Sequence, residues 1–557
     1  MAHANKDSLK LALAQLNPVV GDLDGNLGKA RAARAKAAGE GAGLVVFTEL
    51  FLTGYPPEDL VLKPALLKAA REACAALAED TKDGGPAMLM GLPWSEAGAV
   101  HNAVALLDGG RIEALRYKYN LPNYGVFDEK RVFAPGPLPA PIAFRGVKLG
   151  VPICEDIWSE ETCAALAREG AELLIVPNGS PYWIGKQAVR YDIARERVAE
   201  TGLPLAYVNQ VGGQDELVFD GASFVLNGDG TVAVQLPAWE DALGLSDWRR
   251  EGKAWRCLPG EVAAIERDEA ANYLACVTGL RDYVNKNGFP GVVLGLSGGV
   301  DSALCAALAV DALGASRVHG IMLPYKYTSK ESLNDAASVA EALGVRYDTM
   351  PIHATVEGLT KDLAKAFAGT SPDATEENLQ ARARGTLLMA ISNKFGPMVL
   401  TTGNKSEVSV GYVTLYGDMN GGFNPLKDLY KGQVYALARY RNRTRPKGCL
   451  GPEGVIIPPS VLTKAPSAEL RPGQRDQDTL PPYDELDDIL NCLVEGEMPL
   501  PEIVARGHAP ETVKKVERML YLAEYKRRQA APGVKITAKN FGRDRRYPIT
   551  NKFREKL

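Results

Sequence analysis

Val292 to Leu304 read VVLGLSGGVDSAL, and the order of residue types along this stretch decides the fold class of the half in which it lies. Val292-Val293-Leu294 is an apolar, β-branched strand. Gly295-Leu296-Ser297-Gly298-Gly299-Val300-Asp301-Ser302 is a glycine-rich turn, and Ala303-Leu304-Cys305-Ala306-Ala307-Leu308 opens a helix. Glycine lets the backbone come close to a ligand, Ser297 and Ser302 add hydroxyl groups, and the first N–H groups of a helix have no partner inside it. A phosphate suits that cradle. A Walker A loop needs Lys and then Ser or Thr after its last glycine, and Val300-Asp301-Ser302 stands here instead. An acid in a phosphate cradle repels the ligand unless a cation lies between them, so Asp301 implies Mg²⁺.

Outward from this turn, helices over 301–313, 329–343, 355–368 and 376–394 alternate with the strands VHGIMLP, RYDTMPI and MVLTTGN. Such alternation predicts a doubly wound parallel sheet with its ligand at the carboxyl ends of the strands. An amphipathic helix over 269–287 precedes it. A Gly-, Pro- and Asp-rich region from Asn404 to Pro482 is read as loops over the site, followed by short helices and a basic tail over 526–557. Before the turn, from residue 10 to 237, runs such as LVVFTEL, VKLGVPICED and LLIVPNG alternate with helical stretches over 26–39, 64–80, 160–170 and 187–202. A hairpin turns at Asn227-Gly228-Asp229-Gly230, and the whole reads as an α/β domain. Residues 237–263, rich in Trp, Arg and Gly, read as a structured connection. The expected organisation is one domain over 8–250, a connection over 251–267 and a second domain over 268–557.

A chain of 557 residues is too long for one core. With 46% hydrophobic residues, 24% charged residues and a net charge of −4, it has a globular composition and no global attraction to nucleic acid or membrane. No apolar run approaches the roughly 18 residues of a membrane span, and the opening MAHANKDSLKLALAQLN lacks the pattern of a leader, so a cytoplasmic protein is expected. The eight cysteines form no CxxC pair or zinc spacing and are expected to be reduced. Only five histidines occur, so the chemistry has to come from other side chains.

Three strand ends in the first half carry reactive residues. Glu49 ends LVVFTEL, Lys118 lies in RYKYNLPNYGVFDE, and Cys154 follows LGVPI. A thiol attacks only as thiolate and needs a base or a cation beside it. With no histidine near these strings, Glu49 can take the proton and Lys118 can stabilise an oxyanion. Taken singly, a strand-end Glu, a lone Lys and a buried Cys have plain structural roles. Together, with FTELFLTGYPPEDL, KYNLPNYGVFDEKRVF and ICEDIW around them, they resemble the nitrilase superfamily of carbon–nitrogen hydrolases. The resemblance implies an α-β-β-α sandwich, Glu49 as general base, Lys118 as oxyanion stabiliser and Cys154 as nucleophile. It also places glutamine against Tyr124, Ser180 and Lys186, the last pairing with a carboxylate.

The octet Gly295–Ser302 resembles the pyrophosphate loop of ATP pyrophosphatase synthetases, which adenylate a carboxyl or carbonyl oxygen. A nitrilase-like half followed by such a half resembles the glutamine-dependent NAD⁺ synthetase family over almost the whole chain. That resemblance implies glutamine, ATP and deamido-NAD⁺ as substrates, with ATP held by residues 295–302 and Thr402, deamido-NAD⁺ by Asn378, Glu407 and Lys526, and Mg²⁺ by Asp301 and Glu407. It further implies a homo-oligomer, an octamer, and no nucleic-acid or membrane partner. Tyr119-Asn120 stands after Lys118 where that family often has a basic or His-rich stretch. Lys431 is a further candidate for a phosphate. Lys526 also reads as a solvated helix-end residue. Two other readings remain open: an amidotransferase with a different acyl acceptor, and a scaffold that has lost a site.

Overall fold

A computed structural model describes residues 7–556. Residues 1–6, which open the stretch read as lacking a leader, and residue 557 lie outside it. The chain divides into two compact units, residues 1–266 and 267–557.

The first unit holds two large sheets. Seven strands run in the order Ala254–Cys257, Ala242–Glu251, Ser8–Gln15, Leu44–Val46, Ala87–Glu96, Ala99–Asp108 and Arg111–Tyr117. Six run in the order Val232–Gln235, Phe224–Leu226, Leu205–Asn209, Leu173–Asn178, Val147–Gly150 and Ile142–Phe144. Alternation along each strand decides which layer a side chain joins. Leu11, Leu13, Leu44 and Val46 meet Leu149, Leu173, Ile175 and Val225 of the other sheet, while Ala12, Ala14 and Val45 face Ala30, Ala33, Ala37 and Leu77 of helices Leu23–Gly39 and Pro64–Asp80. Small alanines on that face let the helices come close. On the outer face of the second sheet, Leu174, Val176 and Phe224 pack against Leu166, Ala194 and Val198 of helices Glu160–Arg168 and Lys186–Thr201. The layers are therefore α-β-β-α. The Asn227 hairpin forms as read, with the Thr231 carbonyl accepting from the Asn227 N–H at 2.9 Å.

The Trp-rich stretch read as a connection instead supplies two strands. Ala242–Glu251 pairs antiparallel with Ser8–Gln15, and Ala254–Cys257 pairs with Ala242–Glu251, burying Trp248 and Trp255. Its partner strand lies more than 200 residues away in sequence, beyond the reach of any local pattern.

In the second unit, four parallel strands stand in the order Arg346–Thr349, Val318–Met322, Val292–Gly295, Met398–Val399. The first three strands in sequence run outward in one direction and the fourth returns to the other side of the first. The switch point of this doubly wound sheet thus lies beside the glycine-rich turn, where open sheets bind ligands. Val293 and Ile321 pack with Val356, Ala383 and Leu388 of helices His353–Leu363 and Ala374–Phe395. The basic tail packs back onto the unit: Ile536 and Thr537 donate backbone N–H groups to Asp428, and Lys535 pairs with Asp544 at 2.5 Å.

Helix Val300–Leu313, which carries Asp301, is anchored at its far end. Asp311 accepts from Arg441 Nε at 2.5 Å, from the Tyr273 hydroxyl at 2.5 Å and from the Gly451 N–H at 3.0 Å, and the Asp311 and Arg441 side chains are both fully buried. Removing one member of such a pair strands the other charge in the interior. Asp311→Ala is expected to destabilise the second unit by about 3–5 kcal/mol, read as a lower midpoint in chemical denaturation.

Candidate active sites

In the first unit, Glu49 follows strand Leu44–Val46, Lys118 follows Arg111–Tyr117, and Cys154 opens the short turn Cys154–Trp158 after Val147–Gly150. Cys154 has φ +46°, a conformation that L side chains seldom adopt. Asp156 buckles two of these segments together: its carboxylate accepts from the N–H groups of Tyr119 (3.1 Å) and Asn120 (2.7 Å), next to Lys118, and from that of Ile153 (2.9 Å), next to Cys154.

Lys118 and Glu49 are fully buried, with Lys118 Nζ 2.7 Å from Glu49 Oε1. The same ammonium lies 2.8 and 2.9 Å from the two oxygens of Glu129, which also accepts from the Tyr55 hydroxyl at 2.8 Å. The Gly179 N–H donates to Glu49 Oε2 at 2.9 Å. Burial works against the charged ammonium, but Glu129 and Glu49 outweigh it and hold the Lys118 pKa well above its ordinary value. Burial pushes Glu129 up to about 7. Burial, reinforced by Glu49 and opposed by Lys118, pushes the Cys154 thiol up. The sulfur therefore rests as a thiol and needs a base before it can attack.

Around this centre, Ser180 is held by Arg190, which donates to its hydroxyl at 3.1 Å and its carbonyl at 2.7 Å and pairs with Asp220 at 2.7 Å. Lys186 Nζ stands 3.9 Å from the Trp158 ring centre, and burial, with Arg190, pushes its pKa down to about 7. Tyr124 keeps half of its surface exposed and donates to Glu155 at 2.9 Å. The charges of both Glu155 and Lys186 reach Cys154.

In the second unit a cavity of about 300 Å³ opens at the switch point, lined among others by Ser297, Asp301, Arg384, Thr402, Glu407 and Lys431. The turn is tight: Gly298 has φ +83°, and a Cβ there would lie 2.3 Å from the Ser332 carbonyl oxygen, so only glycine fits. Ser302 Oγ accepts from the Ser297 N–H at 3.2 Å and donates to the Gly299 carbonyl at 3.0 Å, which closes the loop on itself. Asn404 joins the two acids, its side chain donating to Asp301 Oδ1 at 2.9 Å and accepting from the Glu407 N–H at 3.0 Å. Lys431 Nζ bridges them, 2.5 Å from Asp301 and 3.2 Å from Glu407. Burial pushes Glu407 up to about 7, opposed by Lys431. From the Pro-rich region, Glu469 and Asp476 line the same cavity, and Glu469 accepts from the Ser329 and Ser332 hydroxyls, both at 2.8 Å.

Two family models match the chain, carbon–nitrogen hydrolase over residues 10–253 and NAD synthase over residues 273–530. The glutamine-dependent NAD(+) synthetase of Rhodobacter capsulatus is 53% identical over 549 residues, 99% of both chains. The chain belongs to the glutamine-dependent NAD(+) synthetase family. A synthetase of the same name from Xanthomonas campestris is 48% identical over 98% of each chain. The solved structure of the Acinetobacter baumannii glutamine-dependent NAD+ synthetase in complex with ADP superposes with a TM-score of 0.78, at 45% identity, over 98% of this chain and 99% of that one.

Several residues of the two candidate sites are invisible to sequence reasoning. Glu129 lies in DEKR, which reads as a solvated charge cluster, and only packing buries this one acid. Arg384 reads as one charge among several on a long helix, yet it lines the cavity, and burial lowers its pKa to about 10. Asn378 and Lys526 converge on one segment outside the cavity wall: Asn378 accepts from the Thr414 hydroxyl at 2.8 Å, and Lys526 Nζ donates to the Gly411 and Val413 carbonyls at 2.8 and 2.7 Å. Tyr412, between those carbonyls, lines the cavity.

Proposed function

We propose that the chain makes NAD⁺ by amidating the nicotinate carboxyl of deamido-NAD⁺ with nitrogen taken from glutamine, at the cost of ATP converted to AMP and pyrophosphate. The observation that carries this reading is the buried Glu49–Lys118 pair beside Cys154 on the same chain as the SGGVDS cradle. In the first site Glu49 takes the thiol proton, and the Cys154 sulfur attacks the side-chain amide carbon of glutamine. Lys118 offsets the oxyanion, Glu49 returns the proton to the departing nitrogen so that ammonia leaves, and water, deprotonated by Glu49, cleaves the thioester to glutamate and the thiol. Lys186 suits the α-carboxylate of glutamine, and Glu155, held by Tyr124, suits its α-ammonium. Ser180 completes the pocket.

In the second site the Gly295–Ser302 loop, Thr402 and Lys431 hold the phosphates of ATP, while Asn378, Glu407 and Lys526 support the deamido-NAD⁺ side. The nicotinate carboxylate attacks the α-phosphorus, and pyrophosphate departs. Ammonia then attacks the acyl-adenylate, and AMP leaves. Near pH 7 ammonia is mostly ammonium, which has no lone pair, so transfer sheltered from bulk water keeps it reactive.

The donor set fits Mg²⁺. Asp301 and Glu407 are two hard carboxylates joined through Asn404 and already sharing one cation, Lys431. Among the described residues no group of three His, Cys, Asp or Glu side chains forms a closed cage. One or two carboxylates plus phosphate oxygens is the Mg²⁺ pattern. Asp301 and Glu407 would hold the ion, which would supply neutralisation of the phosphate charge. The reading carries with it a cytoplasmic homo-oligomer; among the described residues no helix is long and apolar enough to cross a membrane.

The test is acceptor choice. With glutamine and ATP, AMP release is expected with nicotinic acid adenine dinucleotide and not with aspartate, xanthosine monophosphate or nicotinic acid mononucleotide. Preferred turnover of any of those three would make the chain an amidotransferase for another acid.

A further inference from the structure

Asn102 enters the first site by strand register. Ala103 stands opposite Tyr117 in the antiparallel pair Ala99–Asp108 and Arg111–Tyr117, so Asn102 faces Lys118, and the Lys118 N–H donates to the Asn102 carbonyl at 2.8 Å. The Asn102 side chain is buried, 1% exposed, and its Nδ2 donates to Glu49 Oε1 at 2.8 Å and approaches Glu129 Oε2 at 3.5 Å. It is a neutral donor set between two buried carboxylates.

We propose that Asn102 is a positioning residue for proton removal from Cys154: it occupies Glu49 Oε1 together with Lys118, leaving Oε2 as the oxygen that receives the thiol proton. The inference rests on the assignment of Glu49 as base. A carboxylate oxygen has two lone pairs in its plane. On Oε1 both are filled, by Lys118 Nζ at 2.7 Å and Asn102 Nδ2 at 2.8 Å, whereas among the described residues Oε2 accepts from the Gly179 N–H alone. The S–H bond breaks, the proton goes to Oε2, and its electron pair stays on sulfur. Because Asn102 has no charge, it favours the ionised carboxylate without drawing a proton of its own.

The titratable and charged groups whose fields meet Glu49 are Lys118, Glu129, Cys154, Tyr55 and Glu155. Lys118 is shared with Glu129, so it cannot orient Glu49 alone. A hydrogen bond to the ionised form favours it. Without Asn102 the carboxylate pair takes up a proton more readily, and the acid limb of the rate profile moves to higher pH.

The experiment uses the full chain and follows glutamate release from glutamine against pH, with ammonia-driven AMP release as a control on the second unit. For Asn102→Leu the acid limb of kcat/KM is expected to rise by about one pH unit and kcat to fall about tenfold, with the KM for glutamine unchanged. An acid limb in its parental place overturns the proposal. Should the leucine variant fail to fold, Asn102→Asp keeps the shape. Its added carboxyl donates while protonated and repels Glu49 and Glu129 once ionised, so the alkaline limb is expected at lower pH, and a parental profile overturns the proposal. Glu49→Gln separates the two levels. Parental glutamate release in Glu49→Gln overturns the base assignment and this proposal with it, whereas its loss, combined with unmoved limbs in the Asn102 variants, overturns this proposal alone.

Discussion

Cys154→Ala is expected to abolish NAD⁺ synthesis driven by glutamine, by about four orders of magnitude or more, while synthesis driven by added ammonium salt stays at the parental rate. The sulfur is the one atom in the first site able to form the thioester, and no neighbour replaces it: Glu49 and Glu129 are both engaged by Lys118, and the charge of Lys118 is held by them. The substitution deletes one small buried atom at the start of a turn that Asp156 already fixes, so the fold is expected to persist. The second site contains no part of this machinery and should accept ammonia from solution. Loss of both activities in a folded Cys154→Ala protein would show that the division of labour is wrong. Retention of glutamine-driven synthesis would remove Cys154 from the chemistry.

Asp301→Ala is expected to do the opposite, removing synthesis from either nitrogen source by about three orders of magnitude while leaving glutamate release from glutamine measurable. Asp301 lies in the first turn of helix Val300–Leu313, where the helix dipole favours an acid, but a phosphate held by the neighbouring glycine turn would be repelled by it unless a cation lay between them. Lys431 plays that part in the protein alone, at 2.5 Å. Without Asp301, Lys431 keeps only Glu407, and the pair of carboxylates proposed for Mg²⁺ becomes one. The side chain is 17% exposed, so its removal leaves no sealed cavity and stability should hold. Raised Mg²⁺ is expected to restore part of the rate. Parental turnover at ordinary Mg²⁺ would strip Asp301 of the role.

Much of this was legible in residue order because the relevant rules are local. A strand, a glycine turn and a helix follow one another within thirteen residues, and the spacing of later strands and helices defines a parallel sheet. Helix limits followed from periodicity to within a few residues, as at Pro64–Asp80 and Val300–Leu313. The three residues Glu49, Lys118 and Cys154 were legible as candidates for the same reason: each stands at the end of a strand, and their flanking strings are distinctive.

Other features depended on partners far away in the chain. The strands Ala242–Glu251 and Ala254–Cys257 looked like a connection because their pairing with Ser8–Gln15 spans more than 200 residues. Glu129 and Asn102 gave no signal, since an acid in a charge run and an asparagine in a strand are ordinary until burial sets them against Lys118 and Glu49. Lys431 was visible only as a candidate for a phosphate, and the return of helix Lys431–Arg443 to the cradle made it the bridge between Asp301 and Glu407. Sequence by itself determined which chemical groups the chain owns and which local elements carry them, because propensity and periodicity act over a few residues. Tertiary structure alone decided which of those groups share a hydrogen bond and which are stripped of water, because burial and long-range register are properties of the whole folded chain.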